Sequence, residues 1–102
     1  MIGRATVVGV GLIGGSIGLA LRECGWHVSG VDSDEARLAT ALEMGVIDSA
    51  GWDPVAEVTF VATPVAYIAD AVSEALAASP SGLVTDVGSV KVPVVSAVDD
   101  PR

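Results

Sequence analysis

A glycine-rich stretch near the start of the chain, residues 6–16, has the residue types and spacing best suited to chemistry. A β-branched run leads directly into the pattern G-x-G-x-x-G, formed by Gly9, Gly11 and Gly14. From Ile13 onward the apolar residues recur at helical spacing, so the glycines lie at a predicted strand-to-helix turn. This context is typical of dinucleotide-binding loops, because the N–H groups at the helix start face the phosphates.

Each glycine of this loop has its own predicted role. Gly9 allows the tight turn out of the strand, and Gly11 lets a pyrophosphate approach the backbone because it has no Cβ atom. Gly14 lets the helix lie close to the sheet. Leu12 and Ile13, which lie between these glycines, complete the predicted cofactor-binding loop. The alternative is a structural turn that packs a helix on a strand without any ligand.

The triphosphate-binding P-loop is a rival interpretation of the same stretch. Residues 9–16 nearly match G-x-x-x-x-G-K-[ST], but the lysine position is occupied by Gly15. Without that positive charge the loop cannot neutralise a triphosphate. A dinucleotide is therefore the better ligand for this sequence.

An acidic residue at the expected distance from the loop supports the same ligand. Asp32 ends the next apolar run and lies 18 residues after Gly14, near the spacing of about 20 expected for the acid that binds an adenosine ribose. Such a carboxylate accepts hydrogen bonds from both ribose hydroxyls and repels a 2′-phosphate. We therefore predict NAD as the cofactor, preferred over NADP by about tenfold or more. Arg37 is expected to point away from the 2′-phosphate position. Taken alone, Asp32 could also be a turn residue or a helix N-cap.

The elements that would position these residues alternate between strand and helix. This alternation predicts a Rossmann-type α/β fold, a doubly wound parallel sheet with helices on both faces, truncated before its last strands. The predicted strands are residues 5–8, 27–31, 58–62 and 83–86, with a short candidate strand at 46–49. The first predicted helix covers residues 13–23, and the second follows Ser33 or Asp34 as its N-cap and ends before Gly45. The third begins with Thr63 as N-cap and Pro64 as N1. A fourth helix is predicted at residues 90–98, where a strand is the alternative.

The predicted topology brings the candidate residues to one edge of the sheet. Right-handed crossovers place the strand at 58–62 beside the first strand, opposite the second strand. The strand order reverses there, so the ligand crevice is expected outside the carboxyl ends of the strands. Four features follow such ends: the glycine loop, Asp32, Thr63 with Pro64, and Gly88-Ser89.

Composition limits the classes of partner. The formal net charge is −8, so nucleic acid and anionic membrane surfaces are not expected to bind. No apolar run approaches the roughly 18 residues of a membrane span. Cys24 is the only cysteine and excludes an internal disulfide, which is consistent with the cytoplasmic location that we expect. The sequence predicts no metal site.

Four segments of the sequence match one family pattern: residues 8–16, 31–32, 61–64 and 85–91. Together they resemble the prephenate and arogenate dehydrogenases of tyrosine biosynthesis over essentially the whole chain. The glycine loop is common to many dehydrogenases, whereas the Gly-Ser-Val-Lys run that contains Ser89 is more specific to this family.

The resemblance implies an NAD-dependent oxidative decarboxylation of a small-molecule substrate, prephenate or arogenate, by a homodimer. It also implies that Ser89 lies near the nicotinamide and the substrate in a supporting catalytic role; a helix N-cap is the alternative. The family's catalytic histidine, in a His-Pro-Met-Ala-Gly run, has no counterpart before Arg102. We therefore expect residues 1–102 to be the dinucleotide-binding domain of a longer two-domain enzyme, inactive alone. The alternatives are the NAD-binding domain of a β-hydroxyacid-type dehydrogenase and a non-catalytic dinucleotide-binding module.

Overall fold

The computed structural model describes residues 3–64, 67–80 and 82–86. Strands and helices alternate in these ranges as the sequence predicts. In chain order the elements are β1 (Arg4–Val8), α1 (Leu12–Glu23), β2 (His27–Val31), α2 (Glu35–Met44), β3 (Ser49–Ala50), β4 (Val58–Val61), α3 (Ile68–Ala78) and β5 (Leu83–Asp86). The helix predicted at 90–98 and the Gly88-Ser89 turn lie outside the described residues. None of the helices in the described ranges combines the length and the apolar character of a membrane span.

The five strands form one parallel sheet in the order β3-β2-β1-β4-β5. β1 lies at the centre, where Val8 pairs with Val31 on one side and with Val61 on the other. The strand order therefore reverses between β1 and β4. The predicted Rossmann-type fold and the predicted reversal of strand order are both confirmed.

Each face of the sheet has its own apolar core, because successive side chains of a strand point to opposite faces. Val7 packs with α1 and α2, in a cluster completed by Val10, Val28, Ala41 and Ile47. Val8 packs on the α3 side with Val61 and Ala71. The carboxyl end of β1 is thus held from both faces, and the glycine loop leaves the strand at that point.

Glycines with positive φ follow both helices on the first face, Gly25 (φ +92°) after α1 and Gly45 after α2. Gly45 has φ +74° and closes α2, while the N–H of Val46 donates to the Ala41 carbonyl at 3.1 Å. This bond belongs to a Schellman motif. It keeps Val46 in the helix terminus, so the short strand begins at Ser49 and not at 46 as predicted.

The third helix begins later than the sequence predicts. Its N-cap is Tyr67, not Thr63. The N–H of Tyr67 donates to the Pro64 carbonyl at 2.9 Å, ahead of the helix. Thr63 and Pro64 therefore lie between β4 and α3, at the rim of the crevice.

Candidate functional site

A cavity of about 890 Å³ lies at the carboxyl ends of β1, β2 and β4. Its volume is within the range of small-molecule and cofactor sites. All eight residues that the sequence predicts to bind a cofactor line it: Gly9, Gly11, Leu12, Ile13, Gly14, Asp32, Thr63 and Pro64. Ser89 lies outside the described residues, so its role stays a prediction.

The glycine loop forms the floor of this cavity. Gly9 has φ +89°, a conformation that strongly favours glycine. A Cβ atom on Gly14 would lie 1.8 Å from the Gly9 carbonyl oxygen, so α1 can approach the loop this closely only without a side chain there. A Cβ atom on Gly11 would meet nothing within 4 Å. The space above Gly11 is open, and it is large enough for the close approach of a ligand.

The start of α1 faces the same space. Its N-cap is Gly11, which provides no side-chain hydrogen bond, and its first turn contains no acidic residue. The N–H groups of the first turn and the positive end of the helix dipole therefore have no anionic side chain of that turn as a partner. A phosphate fits this position because it supplies both the acceptor oxygens and the negative charge.

Asp32 lies at the end of β2 with a fixed carboxylate. Its Oδ2 accepts a hydrogen bond from the N–H of Val10 at 2.9 Å. Its Oδ1 accepts one from the N–H of Asp34 at 2.8 Å. The side chain is only 3% exposed. The carboxylate thus links the glycine loop to the β2–α2 turn in the lining of the cavity.

Arg37 contacts this carboxylate, and the expectation that it points elsewhere is wrong. Its Nη1 lies 3.3 Å from Oδ2 of Asp32, and its Nη2 lies 3.5 Å from Oδ2 of Asp34. The reason is the cap of α2: the Asp34 side chain accepts from the N–H of Arg37 at 3.1 Å. This cap sets the first turn of the helix so that the arginine extends back over the end of β2.

Thr63 contributes a polar group from the opposite side of the cavity. Its Oγ1 is buried and has no hydrogen-bond partner within the described part of the chain. A buried hydroxyl without a partner costs free energy. Pro64 beside it is exposed at the rim.

Sequence reasoning did not identify four further lining residues: Arg37, Tyr67, Asp70 and Glu74. The spacing of Asp70 and Glu74 was an available signal, because residues four apart share one face of a helix. α3 is the next helix after the carboxyl end of β4, so that face lies beside the crevice. Arg37 had no comparable signal, since its direction depends on the α2 cap.

Fold and site together define a dinucleotide-binding domain of the Rossmann type. A family model described as the prephenate dehydrogenase nucleotide-binding domain matches residues 17–101. The chain therefore belongs to this family of nucleotide-binding domains.

Relatives of known identity agree with that assignment. The chain is 36% identical to prephenate dehydrogenase of Bacillus subtilis (strain 168), over 91% of this chain and 28% of that enzyme. The crystal structure of Synechocystis arogenate dehydrogenase superposes with a TM-score of 0.78 at 34% identity, over 91% of this chain and 35% of that one. The structure of Aquifex aeolicus prephenate dehydrogenase with hydroxyphenyl propionate and NAD+ gives a TM-score of 0.73 at 27% identity. This superposition covers 89% of this chain and 35% of that one. The chain thus spans about a third of the length of these relatives.

Proposed function

We propose that this chain is the NAD-binding domain of a dehydrogenase that oxidatively decarboxylates prephenate or arogenate. One observation carries the proposal most directly. The open space above Gly11, the uncapped start of α1 and the fixed carboxylate of Asp32 line one cavity, in a chain of the prephenate dehydrogenase family. These three features match the pyrophosphate and the adenosine ribose of one dinucleotide.

The residues of this chain bind and orient the cofactor. The backbone above Gly11 and the first turn of α1 hold the pyrophosphate, and Asp32 accepts hydrogen bonds from the adenosine ribose. Thr63 lies in the lining on the other side of the cavity and limits the space for the cofactor there. NAD, when bound, accepts the hydride that leaves the substrate. Ser89 is proposed to support the reaction beside the nicotinamide.

Substrate chemistry is proposed to need groups beyond this chain. The chain spans 28% of the length of its Bacillus subtilis relative. We propose a longer two-domain protein, a cytoplasmic homodimer, in which residues outside 1–102 supply the histidine that polarises the substrate hydroxyl. The isolated chain of 102 residues is then expected to bind NAD without oxidising prephenate or arogenate.

The decisive assay measures NADH formation by the full-length protein with NAD and with prephenate or arogenate as the substrate. One of the two substrates is expected to be oxidised with release of carbon dioxide. The matched control is the Gly11→Val variant, which should form no NADH because the pyrophosphate position is filled. If the full-length protein binds NAD but oxidises neither substrate, the proposed reaction is wrong.

A further inference from the structure

Among the described residues, Arg37 is the only basic side chain in the lining of the cavity. The other charged lining residues are acids: Asp32, Asp70 and Glu74. These carboxylates repel any anionic group that lies away from the N–H groups at the start of α1. The 2′-phosphate of NADP would be such a group, because Asp32 marks the position of the ribose hydroxyls. Arg37 is therefore the described cation placed to meet it.

The Asp32 carboxylate cannot rotate away from a 2′-phosphate without losing two hydrogen bonds. Asp32 accepts hydrogen bonds from the backbone N–H groups of Val10 and Asp34, and its side chain is 3% exposed. Rotation of the carboxylate would leave both N–H groups without their partner, which costs free energy. The discrimination between a 2′-hydroxyl and a 2′-phosphate therefore depends on the charge beside Asp32.

The cation beside it is held more loosely. The Arg37 Nη1 lies 3.4 and 3.3 Å from the two oxygens of Asp32, and Nη2 lies 3.5 Å from Asp34. Strong charge-assisted hydrogen bonds are shorter, about 2.7–2.9 Å. The Arg37 side chain is also 49% exposed, so solvent screens its attraction to the carboxylates. Arg37 is therefore held weakly enough to exchange a carboxylate oxygen for a phosphate oxygen.

We propose that Arg37 determines cofactor specificity by binding the 2′-phosphate of NADP, and that it thereby reduces the preference for NAD that Asp32 alone would impose. The inference rests on the proposed binding of NAD in this cavity. A guanidinium binds phosphate oxygens through paired N–H donors. NAD has only a hydroxyl at this position and gains no such contact. The protein thus binds both dinucleotides, NAD more tightly, and Arg37 sets the difference.

Calorimetric titration of the full-length protein with NAD and NADP tests this role. The measured quantity is the ratio of the Kd for NADP to the Kd for NAD. Arg37→Met removes the charge and keeps much of the aliphatic length, and it should raise this ratio about tenfold. Arg37→Lys keeps the charge without the planar pair of donors, so its ratio should lie between those of the wild type and Arg37→Met.

Arg22→Met is the matched control. Arg22 also pairs with a carboxylate, that of Asp48 at 2.9 Å, but it does not line the cavity. The same charge is lost, so a direct role of Arg37 requires that Arg22→Met keep the wild-type ratio. An equal rise in both variants, or an unchanged ratio in Arg37→Met while NAD still binds, would overturn the inference. Failure of the wild type to bind NAD would instead contradict the proposed function, so the two failures are distinguishable.

Discussion

The three motif glycines of the loop differ in what a side chain would meet at each position. A Cβ atom would clash with the Gly9 carbonyl at position 14, whereas it would enter open space at position 11. Gly9 itself is restricted by its positive φ. The first and last glycines of the motif therefore maintain the turn, and the middle one keeps room for the ligand. Stability and binding can be tested separately at these positions.

Gly14→Ala should lower the free energy of unfolding by about 3 kcal/mol, because α1 must move away from the loop to accept the methyl group. The matched control is Gly15→Ala in the same helical turn. Its Cβ atom would lie 3.8 Å from the Val10 carbonyl oxygen, an ordinary contact, and alanine favours the helix by up to about 1 kcal/mol. Urea denaturation of both variants measures the difference. Equal stabilities would show that the loop tolerates a side chain at position 14.

The positions of the motif residues could be predicted from the sequence, since motif spacing and strand ends depend only on local pattern. The direction of Arg37 could not be predicted. It depends on the Asp34 cap and on the carboxylate of Asp32. The sequence analysis assigned Asp32 to the adenosine ribose and left Asp34 and Ser33 as alternatives for the start of α2. Side-chain contacts of this kind require the three-dimensional arrangement of two turns.

At the scale of elements, the alternation of strands and helices predicted the sheet order because parallel connections are right-handed. The predicted start of α3 at Thr63 and Pro64 was wrong. Thr63-Pro64 matches a helix N-terminus and also matches a turn, and local sequence cannot separate the two. In the structure the Pro64 carbonyl accepts a hydrogen bond from the Tyr67 N–H, and α3 begins at Ile68.

Two buried threonines face each other in register on adjacent strands of the sheet. Thr6 in β1 pairs in register with Thr59 in β4, and both residues are almost fully buried. Neither hydroxyl has a hydrogen-bond partner in the ranges that the structure describes. The double variant Thr6→Val, Thr59→Val should therefore raise the free energy of unfolding by about 1 kcal/mol or more, because valine has nearly the same shape without an unsatisfied hydroxyl. Urea denaturation measures this change.

Ser79→Ala is the control for that pair of substitutions. The buried Ser79 Oγ donates to the Asp53 carbonyl at 2.6 Å. Its removal should lower the free energy of unfolding by about 1 kcal/mol. A loss of stability in the double threonine variant as well would mean that those hydroxyls have partners and contribute to the fold.

At the scale of the whole molecule, an acidic chain is proposed to bind an anionic cofactor. The formal net charge is −8, and three carboxylates line the cavity. The phosphates are therefore attracted by local N–H groups and repelled by the overall field.

This balance predicts an unusual salt dependence for the 102-residue domain. Raising the salt concentration from about 0.02 M to about 0.3 M shortens the Debye length to several Å and screens the long-range repulsion. The Kd for NAD should then fall by about twofold, measured by calorimetry at both concentrations. A Kd that increases with salt would show that cationic side chains, and not backbone N–H groups, dominate the attraction.

The proposed function depends most on the binding of NAD in the cavity, with its pyrophosphate against Gly11. Gly11 has φ −74° and open space at the Cβ position, so valine fits the fold. Calorimetric titration of NAD into the wild type and Gly11→Val, with far-UV circular dichroism of both, tests the claim directly. We predict matching spectra, measurable binding to the wild type and at least about 100-fold weaker binding to the variant, a loss of about 2.7 kcal/mol or more. A folded Gly11→Val variant that binds NAD with wild-type affinity would contradict the account.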